Sequence, residues 1–206
     1  MPIWTFDLPD DIQPTLVLDL SSLSVVTAPG AGRMITVEAD ELLEPLLDVT
    51  ADGAKVSVRQ IALVGRERFA GIWPWGPQTS RVRVTVPDGT RLDARLDAGS
   101  ISAEHSWEQV RIRTSAGSIR LGDCMSAQVH ADAGSIVIGA LRDGSVRAQA
   151  GSVRILSTTG TVSAHTEAGS VKVIEAYEGS LDLSSQLGTV SVGVPEGTAV
   201  LADCQY

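Results

Sequence analysis

Aromatic side chains are scarce in this chain: they make up 4% of its 206 residues, against 43% hydrophobic residues overall. The apolar positions are filled mainly by Val, Ile, Leu and Ala, which favours thin repeated layers over one bulky core. Cysteine is scarce too. Cys124 and Cys204 stand 80 residues apart, a spacing that matches no metal motif and no disulfide framework, so both are expected to be buried thiols. No apolar run approaches the ~18 residues of a membrane span, and the opening MPIWTFDLPDD has neither the basic nor the apolar stretch of a secretion signal. These absences predict a soluble, cytoplasmic protein with no membrane span.

Positive charge is also in short supply. The formal charge is −9, which favours solubility and argues against a general nucleic-acid binder. The imbalance is uneven: residues 1–90 carry 7 basic and 12 acidic side chains, whereas residues 91–195 carry 9 and 11. The second stretch is therefore close to neutral.

Glycine, in contrast, reaches 20 residues, and it recurs with a period. Aligning on Gly, then Ser or Thr, then a β-branched residue gives Gly99, Gly117, Gly134, Gly151, Gly169 and Gly188, at steps of 18, 17, 17, 18 and 19. Half-way signals fall at Gly144, Gly160 and Gly179, so each period holds two strands and two turns. A fixed period with internal halves is the signature of a solenoid. Two residues after the Gly stand Ile101, Ile119, Ile136, Val153, Val171 and Val190; four after it stand Ala103, Leu121, Ile138, Ile155, Val173 and Val192. Five before it stand Ala94, Ile112, Val129, Val146, Ala164 and Leu183. Alternation of period two on both sides of a turn predicts two apolar walls facing each other. The Gly is expected to supply a positive φ at the corner, and the hydroxyl after it a local hydrogen bond.

The fold class predicted is all-β, a parallel β-solenoid with two strands per 17–19-residue coil, preceded by an irregular β region. Residues 1–90 would form that irregular region and cap the solenoid; residues 91–206 would form the coils and a C-terminal cap, and the two can be continuous. In the front part, 15–27, 33–39, 48–50, 55–59 and 81–86 read as strands, and Glu41 to Leu47, around Pro45, as a loop packing on the core in preference to one helical turn.

The entry Val86-Pro-Asp-Gly-Thr-Arg-Leu-Asp-Ala94, followed by repeated Ala-Gly-Ser-Ile and Ala-Gly-Ser-Val corners, resembles the adhesin-type β-strand-repeat proteins of the DUF4097 type, whose function is unknown. The resemblance covers most of the chain. It implies a parallel β-helix-like fold and brings no catalytic residue with it.

Candidate contact residues come from the outward columns. Four positions before the corner Gly stand Arg95, Arg113, His130, Arg147, His165 and Ser184; three after it, Arg120, Arg154 and Lys172. Stacked coil on coil, these predict basic stripes flanking one edge. Like charges on neighbouring strands repel. The column two before the Gly, with Asp97, Asp132 and Glu167, is expected to neutralise them; the functional alternative is an edge that binds an anionic polymer or an acidic protein. Trp73 and Trp75, flanking Pro74, are expected to cap the first coil or form a contact surface.

No catalytic set assembles by spacing. His130 and His165 lie two coils apart, roughly 9.6 Å from the strand spacing, too far to share a metal ion easily. With His105 in another register, all three are expected to be surface histidines, and neither metal nor cofactor is expected. Asp97 and Asp132 sit on a wet corner, which suits neither a raised pKa nor an enclosed substrate. The chain is therefore expected to be no enzyme but a scaffold or binding module presenting its repeat surface to a macromolecule or to copies of itself as a homo-oligomer. Self-assembly into a structural polymer and action on polysaccharides are the rivals.

Overall fold

Small aliphatic residues alternating with polar ones give strands along nearly the whole chain. The computed structural model describes residues 1–61 and 81–205; Trp73 and Trp75 lie outside the described residues. In chain order the strands are β1 (Ile3–Asp7), β2 (Thr15–Leu20), β3 (Ser24–Pro29), β4 (Met34–Ala39), β5 (Leu47–Asp52), β6 (Lys55–Gln60), β7 (Arg81–Val86), β8 (Thr90–Ala98), β9 (Ile101–Ala103), β10 (Trp107–Ala116), β11 (Ile119–Leu121), β12 (Cys124–Thr158), β13 (Thr161–Ala176), β14 (Gly179–Val192) and β15 (Val200–Gln205).

The result is a parallel β-solenoid with two walls. On one wall Ala94, Ile112 and Val129 are register partners, as are Val146, Ala164 and Leu183. On the other, Ile101, Ile119 and Ile136 stack, followed by Val153, Val171 and Val190. From β12 onward the corners are so smooth that single strands run round from one wall to the other. The inward columns are buried in one continuous core, except Val190 and Val192 in the last coil, which are half-buried. Each fully buried Ile or Val contributes about 1.5–3 kcal/mol relative to exposure.

Glycine at the corner is required twice over. Gly134 and Gly151 have φ of 128° and 142°, a region costly for any residue with a Cβ. A Cβ built on Gly134 would also overlap the carbonyl oxygen of Gly117, and one on Gly151 the carbonyl oxygen of Gly134. Gly188 corrects the expectation of positive φ at every corner. It has no such φ, and its place in the column rests on the overlap a Cβ would make with the Gly169 carbonyl. Buried hydroxyls three positions before the Gly serve the same corners: Ser185 Oγ donates to Gly169 O at 3.0 Å and Thr166 Oγ1 to Gly151 O at 3.4 Å. These two hydroxyls are thereby satisfied inside the coil.

The first ninety residues are built into the same sheet. β2 pairs in parallel with both β6 and β8, and β3 with both β7 and β9, so this segment supplies coils of its own. Leu23 occupies the corner beneath Gly99. Irregularity is confined to the outermost strands, where β1 runs antiparallel to β4, β4 to β7, and β5 to β6. Two features depart from expectation. Glu41–Leu46 is a short 3-10 helix with Leu43 buried, so the less favoured of the two readings of that segment, the helical turn, holds. Gly144 is not a half-way corner in step with Gly160 and Gly179: it pairs inside the wall with Val162, because the coil ending there is one of the shortest.

Candidate binding face

Arg95 points outward because its neighbours Ala94 and Leu96 point in, and the same alternation applies one coil later to Arg113 between Ile112 and Thr114. Parallel register then stacks like on like. Asp19, Arg95, Arg113 and His130 are consecutive partners, and so are Arg147, His165 and Ser184. Gly151 sits directly on Gly134, which places Arg147 one coil beyond His130. The first wall therefore carries an unbroken outward row of Arg95, Arg113, His130, Arg147 and His165, in which the arginines are exposed and the histidines half-buried.

A second row lies beside it. Asp93, Arg111 and Gln128 are register partners two positions earlier on each strand, and Ser145 continues the row. Between the rows runs an open depression of about 690 Å³ crossing four coils, from Asp93 and Arg95 to Ser145 and Arg147. Arg111 belongs to this face and was not singled out from the sequence. Its signal was present in the column six positions before the Gly, which holds Asp93, Arg111, Gln128 and Ser145.

Charge pairing on this face is sparse, contrary to the expected self-neutralisation. His130 Nε2 lies 3.2 Å from Asp132 Oδ1. Arg59 and Asp19 pair at 3.6 Å at the edge of the ladder. Among the described residues, Arg95, Arg111, Arg113 and Arg147 form no ion pair. The physical reason lies in the outward column two residues further along the strand, where Asp97 and Asp132 alternate with the neutral Ser115 and Gln149, so Arg113 and Arg147 have no acid at that position. His165 is held by a neutral contact, Nδ1 to Ser184 Oγ at 2.6 Å.

The second basic stripe is not continuous. Arg154 and Lys172 are register partners, but Arg120 is flanked by Ser102 and Val137, and Lys172 is followed by Ser191. These three residues lie on the other wall, across the corner from the ladder.

His105 corrects a further expectation, since it is not a surface histidine. It is 9% exposed, with Nε2 3.0 Å from Thr27 Oγ1 and its ring 4.3 Å from that of Trp107. Burial lowers its pKa, opposed by a backbone hydrogen bond at Ser106 and by Asp88, whose Oδ1 is 3.9 Å from Nδ1. Cys124 is buried as expected, and burial with the nearby Asp123 pushes its thiol up to about 12; Cys204 is half-buried. Among the described residues no group of three or more His, Cys, Asp or Glu is placed to hold a metal ion, and no helix is long and apolar enough to cross a membrane.

The family model described as Toastrack DUF4097 matches residues 14–206. The chain belongs to this Toastrack family. Among solved structures it is similar to a putative adhesin from Bacteroides fragilis at 11% identity and a TM-score of 0.51, covering 93% of this chain and 96% of that one. It also resembles a putative cell adhesion protein from Clostridium sporogenes, at 7% identity and a TM-score of 0.37, covering 94% and 99%. A putative lipid binding protein from Parabacteroides distasonis is similar at 10% identity and a TM-score of 0.36, covering 98% and 96%. No curated protein matches the chain. At 11% identity the likeness to the Bacteroides fragilis structure shows the fold alone.

Proposed function

We propose that this Toastrack solenoid is a non-catalytic binding module whose first wall docks an acidic macromolecule. One observation carries the proposal: Arg95, Arg113 and Arg147 stand in a single outward row, with Arg111 beside it, and none has an ion-pair partner among the described residues. A stack of like charges one strand apart is unfavourable in isolation. An acidic partner would convert that cost into attraction and speed encounter despite the negative net charge of the chain. The name adhesin carried by the Bacteroides fragilis relative is in keeping with a binding role. The face suits docking better than catalysis, because its carboxylates Asp97 and Asp132 lie on an open corner where neither is desolvated.

The test is a binding screen of acidic proteins and polymers against the wild-type chain, an R113Q/R147Q variant of the first wall, and an R120Q/R154Q variant of the second. Binding lost in the first variant and kept in the second supports the proposal. Binding unchanged in both, or an absence of binding to every acidic ligand tried, overturns it.

A further inference from the structure

The geometry of the ladder points to a particular ligand class, and we infer that the first wall binds a linear polyuronate, an anionic polysaccharide with a carboxylate on each sugar, laid along the solenoid axis. The inference rests on the docking role proposed for this wall and adds the chemistry of the partner.

Spacing is the first support. Rungs of a parallel stack are about 4.8 Å apart, so Arg95 to Arg147 spans about 14 Å. A sugar in an extended twofold 1,4-linked chain advances by nearly one strand spacing, so carboxylates on one side recur at about two rungs, roughly 9.6 Å. Carboxylates on one side of such a chain match Arg113 and Arg147, which stand two rungs apart across His130. An extended acidic peptide is out of step, because its same-side residues recur every ~6.8 Å.

Side-chain chemistry is the second support. Arginine offers a planar pair of N–H donors that matches a carboxylate. Between the arginines, Gln128 and Ser145 supply neutral donors and acceptors of the kind that sugar hydroxyls use. No Phe, Tyr or Trp lines the depression, so it lacks the large stacking platforms on which the bases of a single-stranded nucleic acid are usually held.

The carboxylates nearby define the track. Asp97 and Asp132 stand on the corner side of the Arg95–Arg113–His130 row, and Asp93 stands at the end of the Arg111 row. An anion is repelled from the corner and held over the arginines, which favours a narrow, axial polymer over a broad one.

Fluorescence anisotropy of a short end-labelled oligogalacturonate, titrated with the full chain at low ionic strength, tests this directly. The expected result is saturable binding that weakens roughly tenfold or more in R113Q/R147Q, stays unchanged in R120Q/R154Q, and is not competed by polyglutamate of equal charge. If polyglutamate competes equally well, or an acidic protein binds through Arg113 and Arg147 while oligogalacturonate does not, the sugar assignment is overturned and the docking face stands. If a folded R113Q/R147Q variant, checked by circular dichroism, binds every polyanion as the wild type does, both are overturned.

Discussion

His105 Nε2 lies 3.0 Å from the Thr27 hydroxyl, a buried hydrogen bond between residues 78 positions apart. It joins the turn after β9 to β3, and Trp107 covers the imidazole with its ring. On the other side of the ring Asp88 Oδ1 lies 3.9 Å from Nδ1.

Acidification should therefore weaken the fold through this residue. Burial lowers the folded pKa of His105 below its ordinary 6.5, so the unfolded chain takes up the proton first. The stabilisation is complete above pH 6.5 and is lost as pH falls through the folded pKa. Urea denaturation at several pH values between 7.5 and 5, roughly the span over which histidine titrates, should show a decline that is shallower in H105Q. Equal slopes in the two proteins would show that His105 is not buried in the neutral form.

Corner glycines should be far less replaceable than other glycines of positive φ. In G134A and G151A the new methyl meets a carbonyl of the adjacent coil, and a loss of about 3 kcal/mol or more is expected. In G89A, where φ is 74° and nothing lies within 4 Å, only the conformational cost of about 1–2 kcal/mol is expected. Chemical denaturation of the three variants would rank them.

Among the described residues Trp107 is the largest fully buried side chain, and its Nε1 donates to Ala103 O at 2.9 Å. W107A should cost about 3–5 kcal/mol through the cavity it leaves. W107F keeps part of the volume and removes one of the two hydrogen bonds to the Ala103 carbonyl, which still accepts from Gly122 N, so a smaller loss of about 0.5–1.5 kcal/mol is expected. Urea midpoints would separate the two contributions.

The two cysteines should differ in reactivity. With its thiol pushed up to about 12, Cys124 holds almost no thiolate near neutral pH and is a poor nucleophile. A disulfide reagent added to the native protein should titrate Cys204 alone, and Cys124 should respond only after denaturant is added. Prompt reaction of both thiols would contradict the burial of Cys124.

The coil was legible in the sequence because its determinants are local and periodic. Ile119 and Ile136 share a column for the same reason that Gly117 and Gly134 share a corner: a fixed step brings both pairs into register. The row from Arg95 to His165 followed from that step alone. What could not be read was which charges would meet. Whether Asp132 pairs with His130 or with an arginine depends on side-chain reach across a pleat, and the outward column holding Arg111 carried no motif to draw notice. His105 was misplaced because it sits in a turn, outside the two-residue alternation that reveals burial, and its cover comes from Thr27 and Trp107 on separate strands. The coils of the first ninety residues were obscured because their strands pair with strands distant in sequence, as Leu18 does with both Val58 and Ala94.

The stack of Gly134 upon Gly117 and of Gly151 upon Gly134 also governs how this chain can change length. Each corner uses the space that a side chain on the next one would need, so the corners form one interlocked column and cannot drift singly. Loss or gain of one residue would turn a wall's buried face outward. Removal or duplication of a whole coil, such as the 17 residues from Gly134 through Ala150, would bring glycine back over glycine, and duplication would set a second copy of Arg147 over the first. Growth by whole coils would thus lengthen the charged track in unit steps while leaving the cross-section as it is.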